Sequence, residues 1–330
     1  MKIVIFGCGI IANRIAKSCK LVENLELVGF ASKNVDKAKE YANTYDCKEY
    51  GDYDYFLNSD LCDAIYVATY NPSHYGLVKD CLKHHKSVIC EKPMFSSIKE
   101  NEELFELAKE NGVTLMEAMK AVFLPINIKI KEMLKKSEIG EIQSVSTSFV
   151  RASKFDTSHW IYDLKTGGVI KDLGSYCVGT MNYLLDAIPS IVEIKSNRTD
   201  TLAETIGEGL LKYDNIDAQF KVSNVLDGES ALIISGSKGK IYVENFWKAK
   251  EGYVEKDGIK NKIEEELISD FYYELKHFAY LVDNRILESP IMSKEASNNI
   301  LLVTNWEDQK WLFKVKMYIL RRNYNQDKFV

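Results

Sequence analysis

The feature that most constrains this chain is a glycine-rich turn, which follows an apolar run at residues 2–6 and precedes an amphipathic stretch. A buried strand that turns through Gly-x-Gly-x-x-Ala into a helix can cradle a dinucleotide pyrophosphate, because the helix start presents unpaired N–H groups to the anion. An ordinary glycine-rich turn is the alternative, but the strand before and the helix after favour dinucleotide binding. The predicted cofactor contacts are Gly7, Gly9, Ile10, Ile11 and Ala12.

The end of the second predicted strand indicates which dinucleotide is bound. A site that prefers NAD usually has a carboxylate about 20 residues after the glycines, where it holds the ribose hydroxyls. This chain has Ser32 and Lys33 there, and no acid follows until Asp36. A hydroxyl and a cation suit a ribose 2′-phosphate, so the sequence favours NADP over NAD, with Ser32 and Lys33 as cofactor-binding residues. The alternative for Lys33 is a solvated loop lysine.

Composition excludes several other classes of function. The 330 residues are enough for two domains, and 46% hydrophobic with 28% charged residues is typical of a globular protein. A net charge of −5 predicts neither a nucleic-acid partner nor an anionic membrane surface. Seven scattered cysteines without a C-x-x-C pair indicate reduced thiols and no metal site. With no leader before the first strand and no apolar run long enough for a membrane span, we expect a cytoplasmic protein.

The first part of the chain alternates apolar strands with amphipathic helices. This pattern predicts a doubly wound parallel sheet, covered on both faces, in a dinucleotide-binding Rossmann domain at residues 1–121. Ligands of such sheets bind beyond the carboxyl ends of the strands. The turns after Phe6, Ala31, Thr69 and Cys90 should therefore face one cleft.

The pattern changes in the second part, at residues 122–330. Segments that alternate apolar and polar residues, such as 216–222, predict strands with one covered face. We therefore expect an α+β domain with a large, mostly antiparallel sheet, helices on one of its faces, and roles in substrate binding and oligomerisation. No linker rich in Pro, Gly or Ser separates the two parts, so they should pack tightly.

Three residues are candidates for the chemistry. Lys92 lies at the predicted ligand edge of the first sheet, and Pro93 restrains its backbone. Asp172 and Tyr176 are four residues apart, so they share a face if their segment is helical. Considered alone, Asp172 as a helix cap and Tyr176 as a core aromatic are the more ordinary interpretations.

The ordered combination of motifs resembles the glucose–fructose oxidoreductase/inositol dehydrogenase family (Gfo/Idh/MocA). Gly-x-Gly-x-x-Ala comes first, Glu-Lys-Pro follows at 91–93, and Gly-Gly with Asp-Leu-Gly-x-Tyr lies at 167–176. The resemblance covers about residues 1–305. It implies an NAD(P)-dependent oxidoreductase acting on a sugar, polyol or related cyclic alcohol or ketone. It also implies a homo-oligomer, a dimer or tetramer, assembled through the open sheet.

The resemblance also implies roles for the three candidates. Tyr176 matches a branch of the family similar to dimeric dihydrodiol dehydrogenase and xylose dehydrogenase, in which tyrosine exchanges a proton with the substrate oxygen. We expect the Lys92 ammonium to lower the pKa of this phenol, and Asp172 to orient Lys92 or a substrate hydroxyl. Similarity to the family's cofactor loop and to Glu-Lys-Pro adds further predicted cofactor contacts: Thr69, Asn71, His74, Glu91 and Lys92 itself.

Departures from the family pattern concern the substrate side. Val122 stands where relatives commonly have arginine, and Lys120 where the similar branch has tryptophan. His159 and Trp160, just before the glycine pair, are predicted substrate contacts, with a packed surface loop as the alternative. The basic and aromatic tail at 310–330 has no counterpart. A catalytically silent dinucleotide sensor on the same fold is the alternative function.

Overall fold

The computed structural model describes residues 1–153, 156, 158–199 and 201–306 and contains two sheets. The tail at residues 310–330 lies outside the described residues, as do positions 154, 155 and 157, which precede His159. In the described part of the chain, no helix has the length and apolar character needed to cross a membrane. The same residues include no group of three or more His, Cys, Asp and Glu side chains that could hold a metal ion.

The first sheet has six strands, all paired in parallel, in the spatial order 3-2-1-4-5-6. This order is that of a dinucleotide-binding domain, with the carboxyl ends of the strands at one edge. The strands are β1 (Lys2–Phe6), β2 (Glu26–Ala31), β3 (Glu49–Gly51), β4 (Ala64–Val67), β5 (Ser87–Glu91) and β6 (Leu115–Ala118).

Helices cover both faces of this sheet, as the continuous apolar strands require. Asn34, Asp52 and Ser97 each accept a hydrogen bond from a backbone N–H of the first turn of the helix they precede, which explains where three of the helices begin. The helices are α1 (Ile10–Cys19), α2 (Val35–Thr44), α3 (Tyr53–Leu57), α4 (His74–Lys83) and α5 (Ile98–Glu110).

The second sheet has eight strands in the spatial order 14-13-12-11-7-10-9-8. Only the pair of strands 7 and 10 is parallel, and the other neighbours are antiparallel. The strands are β7 (Ile142–Val150), β8 (Ser190–Ser196), β9 (Ile206–Tyr213), β10 (Ile216–Ser223), β11 (Ala231–Gly236), β12 (Gly239–Glu244), β13 (Glu251–Lys256) and β14 (Ile259–Glu264). The predicted fold class, a Rossmann sheet followed by an α+β part with a large antiparallel sheet, is confirmed.

The remaining helices either cover one face of the second sheet, here called its inner face, or pack on the first domain. They are α6 (Pro125–Lys135), α7 (Val169–Asp172), α8 (Gly174–Leu185), α9 (Tyr272–Asp283) and α10 (Lys294–Thr304). The buried α8 packs on β7 and β10 and occupies the centre of the inner face. The opposite face of the sheet carries the exposed apolar side chain of Leu210.

The chain crosses between the two sheets more than once. Near the start of α9, the Ser269 hydroxyl lies 2.6 Å from that of Ser18 in α1, and Asn298 of α10 accepts a hydrogen bond of 2.8 Å from Asn101 of α5. Both late helices thus pack on the first domain. The division of the chain into domains 1–121 and 122–330 stays a prediction.

Candidate active site

The glycine turn after β1 has the geometry that a phosphate cradle requires. Gly7 has φ of +108°, and a Cβ there would lie 2.6 Å from the Ala68 carbonyl oxygen, so a larger residue is excluded. A Cβ on Gly9 would meet nothing within 4 Å, which leaves its backbone open to a ligand. The first turn of α1 has no side-chain cap and no acidic residue, so its N–H groups and dipole are available to an anion.

The residues after the turn divide by exposure. Ile10 is 81% exposed, Ile11 is half-buried, and Ala12 is fully buried where α1 packs on the sheet. Two residues that the sequence did not single out hold this turn. The Tyr41 hydroxyl of α2 donates to the Gly9 carbonyl at 3.2 Å and accepts a hydrogen bond of 2.9 Å from Asn13.

Ser32 and Lys33 lie at the carboxyl end of β2, as predicted. Ser32 is half-buried, and its hydroxyl accepts a hydrogen bond of 3.1 Å from the Asn34 backbone. Lys33 is exposed beside it, and Lys37 follows in the first turn of α2. Two cations and a hydroxyl therefore share the surface next to the β2 end, but the part of Ser32 and Lys33 in cofactor binding stays a prediction.

The loop after β4 is held against the loop after β5. Asn71 donates to the Pro93 carbonyl at 3.4 Å, and the His74 ring lies 3.2 Å from this same carbonyl and 3.1 Å from that of Thr69. His74 is fully buried, and burial lowers its pKa. Both ring nitrogens of His74 face backbone carbonyls inside the protein, which holds the shape of the loop, and its contact with the cofactor stays a prediction. Thr69 and Asn71 stay predicted contacts.

The candidate lysine is closely held at the end of β5. The Lys92 Nζ donates to Asp172 Oδ1 at 2.6 Å and to the Asp172 carbonyl at 2.7 Å, with only 8% of its side chain exposed. The Lys92–Pro93 peptide bond is cis. The preceding Glu91 accepts a hydrogen bond of 2.9 Å from the Tyr66 hydroxyl. Glu91 thus bonds to a residue of the sheet interior, and a role in holding the cofactor stays a prediction.

The phenol of Tyr176 completes the group. It is 8% exposed on α8, and its ring centroid lies 4.3 Å from the Lys92 Nζ. Phe149 of β7 lies 6.0 Å from the Tyr176 ring and stacks on Trp247 at 3.5 Å, so aromatic rings form the wall beside the phenol. The structure therefore brings Lys92, Asp172 and Tyr176 together, although the last two lie in the second half of the chain.

The pKa of Tyr176 departs from its ordinary value in the direction opposite to our prediction. Burial raises the pKa of the phenol well above 10, and Glu91 and Glu274 raise it further when they are ionised. The Lys92 ammonium lies over the ring and its charge is balanced by Asp172. Burial and the acidic neighbours thus outweigh any lowering of this pKa by Lys92, and the role of Lys92 at the phenol stays a prediction.

Two glycines place Asp172 at the site. Gly168 has φ of +111°, and a Cβ there would overlap the carboxylate of Glu204. A Cβ on Gly167 would overlap the Ile161 carbonyl. The buried Glu204 also accepts a hydrogen bond of 3.3 Å from the Ile170 backbone at the start of α7. The glycine pair thus lets the chain pass close to Glu204, which fixes the start of the helix that ends at Asp172.

His159 and Trp160 lie on the far side of an open crevice from the cofactor loop. Their rings are 5.6 Å apart, and they line this crevice together with Tyr70, Pro72 and Thr166. The predicted substrate contacts therefore face a surface that the first domain also lines. Whether they touch a substrate stays a prediction.

A buried ionic group lies behind Tyr176, and the sequence did not reveal it. Lys120 and Arg14 both pair with Asp270, which precedes α9. The Lys120 Nζ lies 4.5 Å from the Phe271 ring centroid and 6.0 Å from that of Tyr176. The only sequence signal was the unusual lysine at position 120.

Comparison with protein families identifies the class. The GFO/IDH/MocA oxidoreductase family, described as having an NAD-binding Rossmann fold, matches residues 1–119, and the GFO/IDH/MocA C-terminal domain matches residues 128–242. The chain belongs to this family and is an oxidoreductase.

Curated relatives cover most of the chain. A scyllo-inositol 2-dehydrogenase (NADP(+)) of Bacillus subtilis is 29% identical over 304 residues, which are 88% of this chain and 90% of the relative. A trans-1,2-dihydrobenzene-1,2-diol dehydrogenase of Mus musculus is 27% identical over 308 residues, with 87% and 90% covered.

Solved structures share the fold. A 3-ketoreductase from Actinomadura kijaniata, in complex with NADP and TDP-benzene, has a TM-score of 0.85 at 23% identity, covering 92% of this chain and 96% of that one. An aldose-aldose oxidoreductase from Caulobacter crescentus, complexed with glycerol, has a TM-score of 0.84 at 21% identity, with 92% and 95% covered.

Proposed function

We propose that this protein is an NADP-dependent dehydrogenase or reductase that acts on a sugar, polyol or related cyclic alcohol or ketone. The observation that carries the proposal is the convergence of Lys92, Asp172 and Tyr176 at the carboxyl edge of the first sheet. Lys92 donates to Asp172 at 2.6 Å and lies 4.3 Å from the Tyr176 ring centroid. A protein that only senses a dinucleotide needs the cleft but not a proton donor beside it.

The glycine turn fits an NADP pyrophosphate. Gly7 and Gly9 leave the backbone accessible, and the uncapped start of α1 attracts the phosphates. Ser32 and Lys33 would hold the 2′-phosphate. NADP dependence in the B. subtilis relative supports this choice of cofactor. When bound, the nicotinamide supplies or accepts the hydride.

The protein's own residues handle the proton. A phenol is protonated at neutral pH, so Tyr176 can donate a proton to a carbonyl oxygen of the substrate, while the upward shift of its pKa makes it a weaker acid than free tyrosine. Ketone reduction uses this proton, and alcohol oxidation, which needs the phenolate, should gain rate as the pH rises. Lys92, held by Asp172, positions the substrate oxygen next to the phenol as a hydrogen-bond donor.

The relatives narrow the substrate class. Both scyllo-inositol and a dihydrobenzene diol are six-membered rings with adjacent hydroxyls. The crevice lined by His159 and Trp160 offers aromatic faces to such a ring. Lys92 and Asp172 are not among the residues that line it, so a substrate that uses their polar groups must extend from the crevice to the edge of the first sheet. We propose a ring with vicinal hydroxyls, or its ketone, as the substrate.

A panel assay tests the function. Absorbance of NADPH is followed with inosose, keto-sugars, nucleotide-linked keto-sugars and cyclic diols in both directions. Tyr176→Phe should reduce turnover by roughly 10²–10⁴-fold with NADPH binding retained, as measured by quenching of protein fluorescence. Tyr183→Phe, in the same helix but lying near Lys131, is the matched control. Bound NADPH without turnover of any substrate would favour the silent sensor.

We also propose that the protein works as a homo-oligomer in the cytoplasm. The outer face of the second sheet exposes Leu210, at 45%. An exposed apolar side chain on an open sheet favours contact with a second copy. Light scattering of wild type and of Leu210→Lys distinguishes a dimer or tetramer from a monomer. Unchanged mass in the variant would argue against this face.

A further inference from the structure

Two carboxyls near Tyr176, the half-buried Glu91 and the fully buried Glu274, share a single hydroxyl. The Tyr66 hydroxyl lies 2.9 Å from Glu91 Oε1 and 3.3 Å from Glu274 Oε1. A phenol has one proton, so Tyr66 can donate to only one of them. Glu274 is fully buried, and its Oε2 has no hydrogen-bond partner among the described residues. At least one more proton is needed to satisfy this arrangement.

The cations near Glu91 and Glu274 form ion pairs with other acidic residues. Lys92 pairs with Asp172, and both Lys120 and Arg14 pair with Asp270. In the described part of the chain, neither Glu91 nor Glu274 has a cation at ion-pair distance. The group therefore has four acids, Asp172, Asp270, Glu91 and Glu274, and three cations, Lys92, Lys120 and Arg14, so one acid is left without a balancing charge. A buried carboxyl without a partner takes up a proton in preference to remaining charged.

Glu274 is the better candidate to hold that proton. Burial raises the pKa of both carboxyls, and Lys120 acts on both, but Lys92 favours the ionised form of Glu91 alone, and Tyr66 bonds Glu91 at the shorter distance. We propose that the Glu274 carboxyl keeps its proton at neutral pH and donates it to Tyr66, which in turn donates to Glu91. This chain makes Glu274 a positioning residue for the proton transfer at Tyr176, a role that rests on the function proposed above.

The charge of Glu274 matters because it acts on the catalytic phenol. Glu91 and Glu274 both raise the pKa of Tyr176, so ionisation of Glu274 would hold the phenol proton more tightly. Burial, followed by the charge of Glu91, raises the pKa of Glu274 itself. The titratable groups that face Glu274 from the surrounding elements are Tyr66, Glu91, Lys120, Asp270 and Tyr176.

A stability titration tests the protonation of Glu274 without any substrate. In the unfolded chain a glutamate ionises at about pH 4.3, so above that value the folded wild type should hold one proton more than its unfolded state. The folding equilibrium constant of wild type, divided by that of Glu274→Gln, should fall by up to about tenfold for each unit by which the pH rises. Urea unfolding of both proteins at several pH values between 5 and 8 measures this. A difference that is flat, or that favours wild type as the pH rises, overturns the proposal.

Tyr66→Phe provides a second variant, which also carries the test if Glu274→Gln does not fold. It removes the donor to Glu91 and the acceptor of the Glu274 proton while keeping the ring. The two carboxyls then repel without a bridge, so the pH-dependent loss of stability should extend to higher pH than in wild type. A pH dependence identical to that of wild type would contradict the bridge. Glu274→Asp, which retains an acid, should keep the loss.

The effect of Glu274 on the pKa of Tyr176 is measured in a separate experiment. With an active panel substrate, the limb of the pH–rate profile that reports Tyr176 should shift to lower pH in Glu274→Gln. If no substrate is turned over, alkaline absorbance titration of phenolate, compared with and without Tyr176→Phe, reads the same shift. Coincident titrations in wild type and Glu274→Gln would refute the link. Absence of turnover with the stability titration as expected would count against the proposed function alone.

Discussion

Replacement of Lys120 by methionine tests whether the ionic group behind Tyr176 stabilises the contact between the two domains. Lys120 and Asp270 retain 4% and 14% side-chain exposure, so loss of the lysine leaves a largely buried carboxylate. Removing one partner of a buried pair costs about 3–5 kcal/mol. Arg14 still contacts Asp270, and methionine still packs on Phe271, so we expect the lower end, about 3 kcal/mol.

The loss should also depend on pH. Lys120 and Arg14 hold the pKa of Asp270 below its ordinary value, so this carboxylate contributes stability above the unfolded pKa of about 3.9 that is lost as the pH falls. Lys120→Met should remove part of that contribution. The difference between wild type and variant, measured by urea unfolding, should therefore be larger at pH 7 than near pH 4.

An exposed pair gives the matched control. Lys131 pairs with Asp186, which is 58% exposed, so Lys131→Met should cost at most about 1 kcal/mol. Adding Asp270→Asn to Lys120→Met should restore part of the lost stability, because the uncompensated charge is removed. A Lys120→Met protein as stable as Lys131→Met would show that the buried pair does not stabilise the fold.

Three further predictions follow from single residues. Gly168→Ala should destabilise the fold by about 1–3 kcal/mol, because Gly168 has a positive φ and a Cβ there would overlap Glu204. Gly112→Ala, with φ of +65° and open space around its Cβ, should lose less unfolding free energy. Equal losses of the two variants in urea unfolding would contradict this. Lys33→Ala should weaken NADPH binding by roughly 10–100-fold, which corresponds to a lost charged hydrogen bond of about 1.5–3 kcal/mol. NADH binding should not weaken, and fluorescence titration measures both affinities. Equal losses for both cofactors would exclude a contact between Lys33 and the 2′-phosphate. Burial lowers the pKa of His74, so the unfolded state binds more protons than the folded state below pH about 6.5, and stability should fall there. His74→Gln should reduce this pH dependence of the free energy of unfolding. A substitution of the exposed His84 by Gln is the control and should leave it unchanged.

Local patterns were sufficient for the first domain. The apolar run before Gly7 and the small Ala12 predicted both the strand and the helix that packs on it, and the structure has them at Lys2–Phe6 and Ile10–Cys19. Such features depend on neighbours in the chain, so a sequence expresses them directly. The short β3 and α3 were missed, because three strand residues and five helical ones give too little periodicity.

Features that depend on residues far apart in the chain were less predictable. The contact of Lys92 with Asp172 spans 80 positions, and only the family resemblance joined them. Nothing local to Lys120 or Asp270 indicates that they pair, since the partners lie 150 residues apart. The shift of the Tyr176 pKa was predicted in the wrong direction because its burial and its neighbours Glu91 and Glu274 are set by the packing of α8 and α9.

The return of α9 and α10 to the first domain limits how this enzyme can be re-engineered. A chimaera that joins residues 1–121 to the second half of a relative would lose the Ser18–Ser269 and Asn101–Asn298 contacts at the same time. It would also leave Arg14 and Lys120 without their acidic partner Asp270. Cofactor preference is therefore better altered by point substitutions at the β2 end than by grafting a foreign nucleotide module, which would need both late helices transplanted with it.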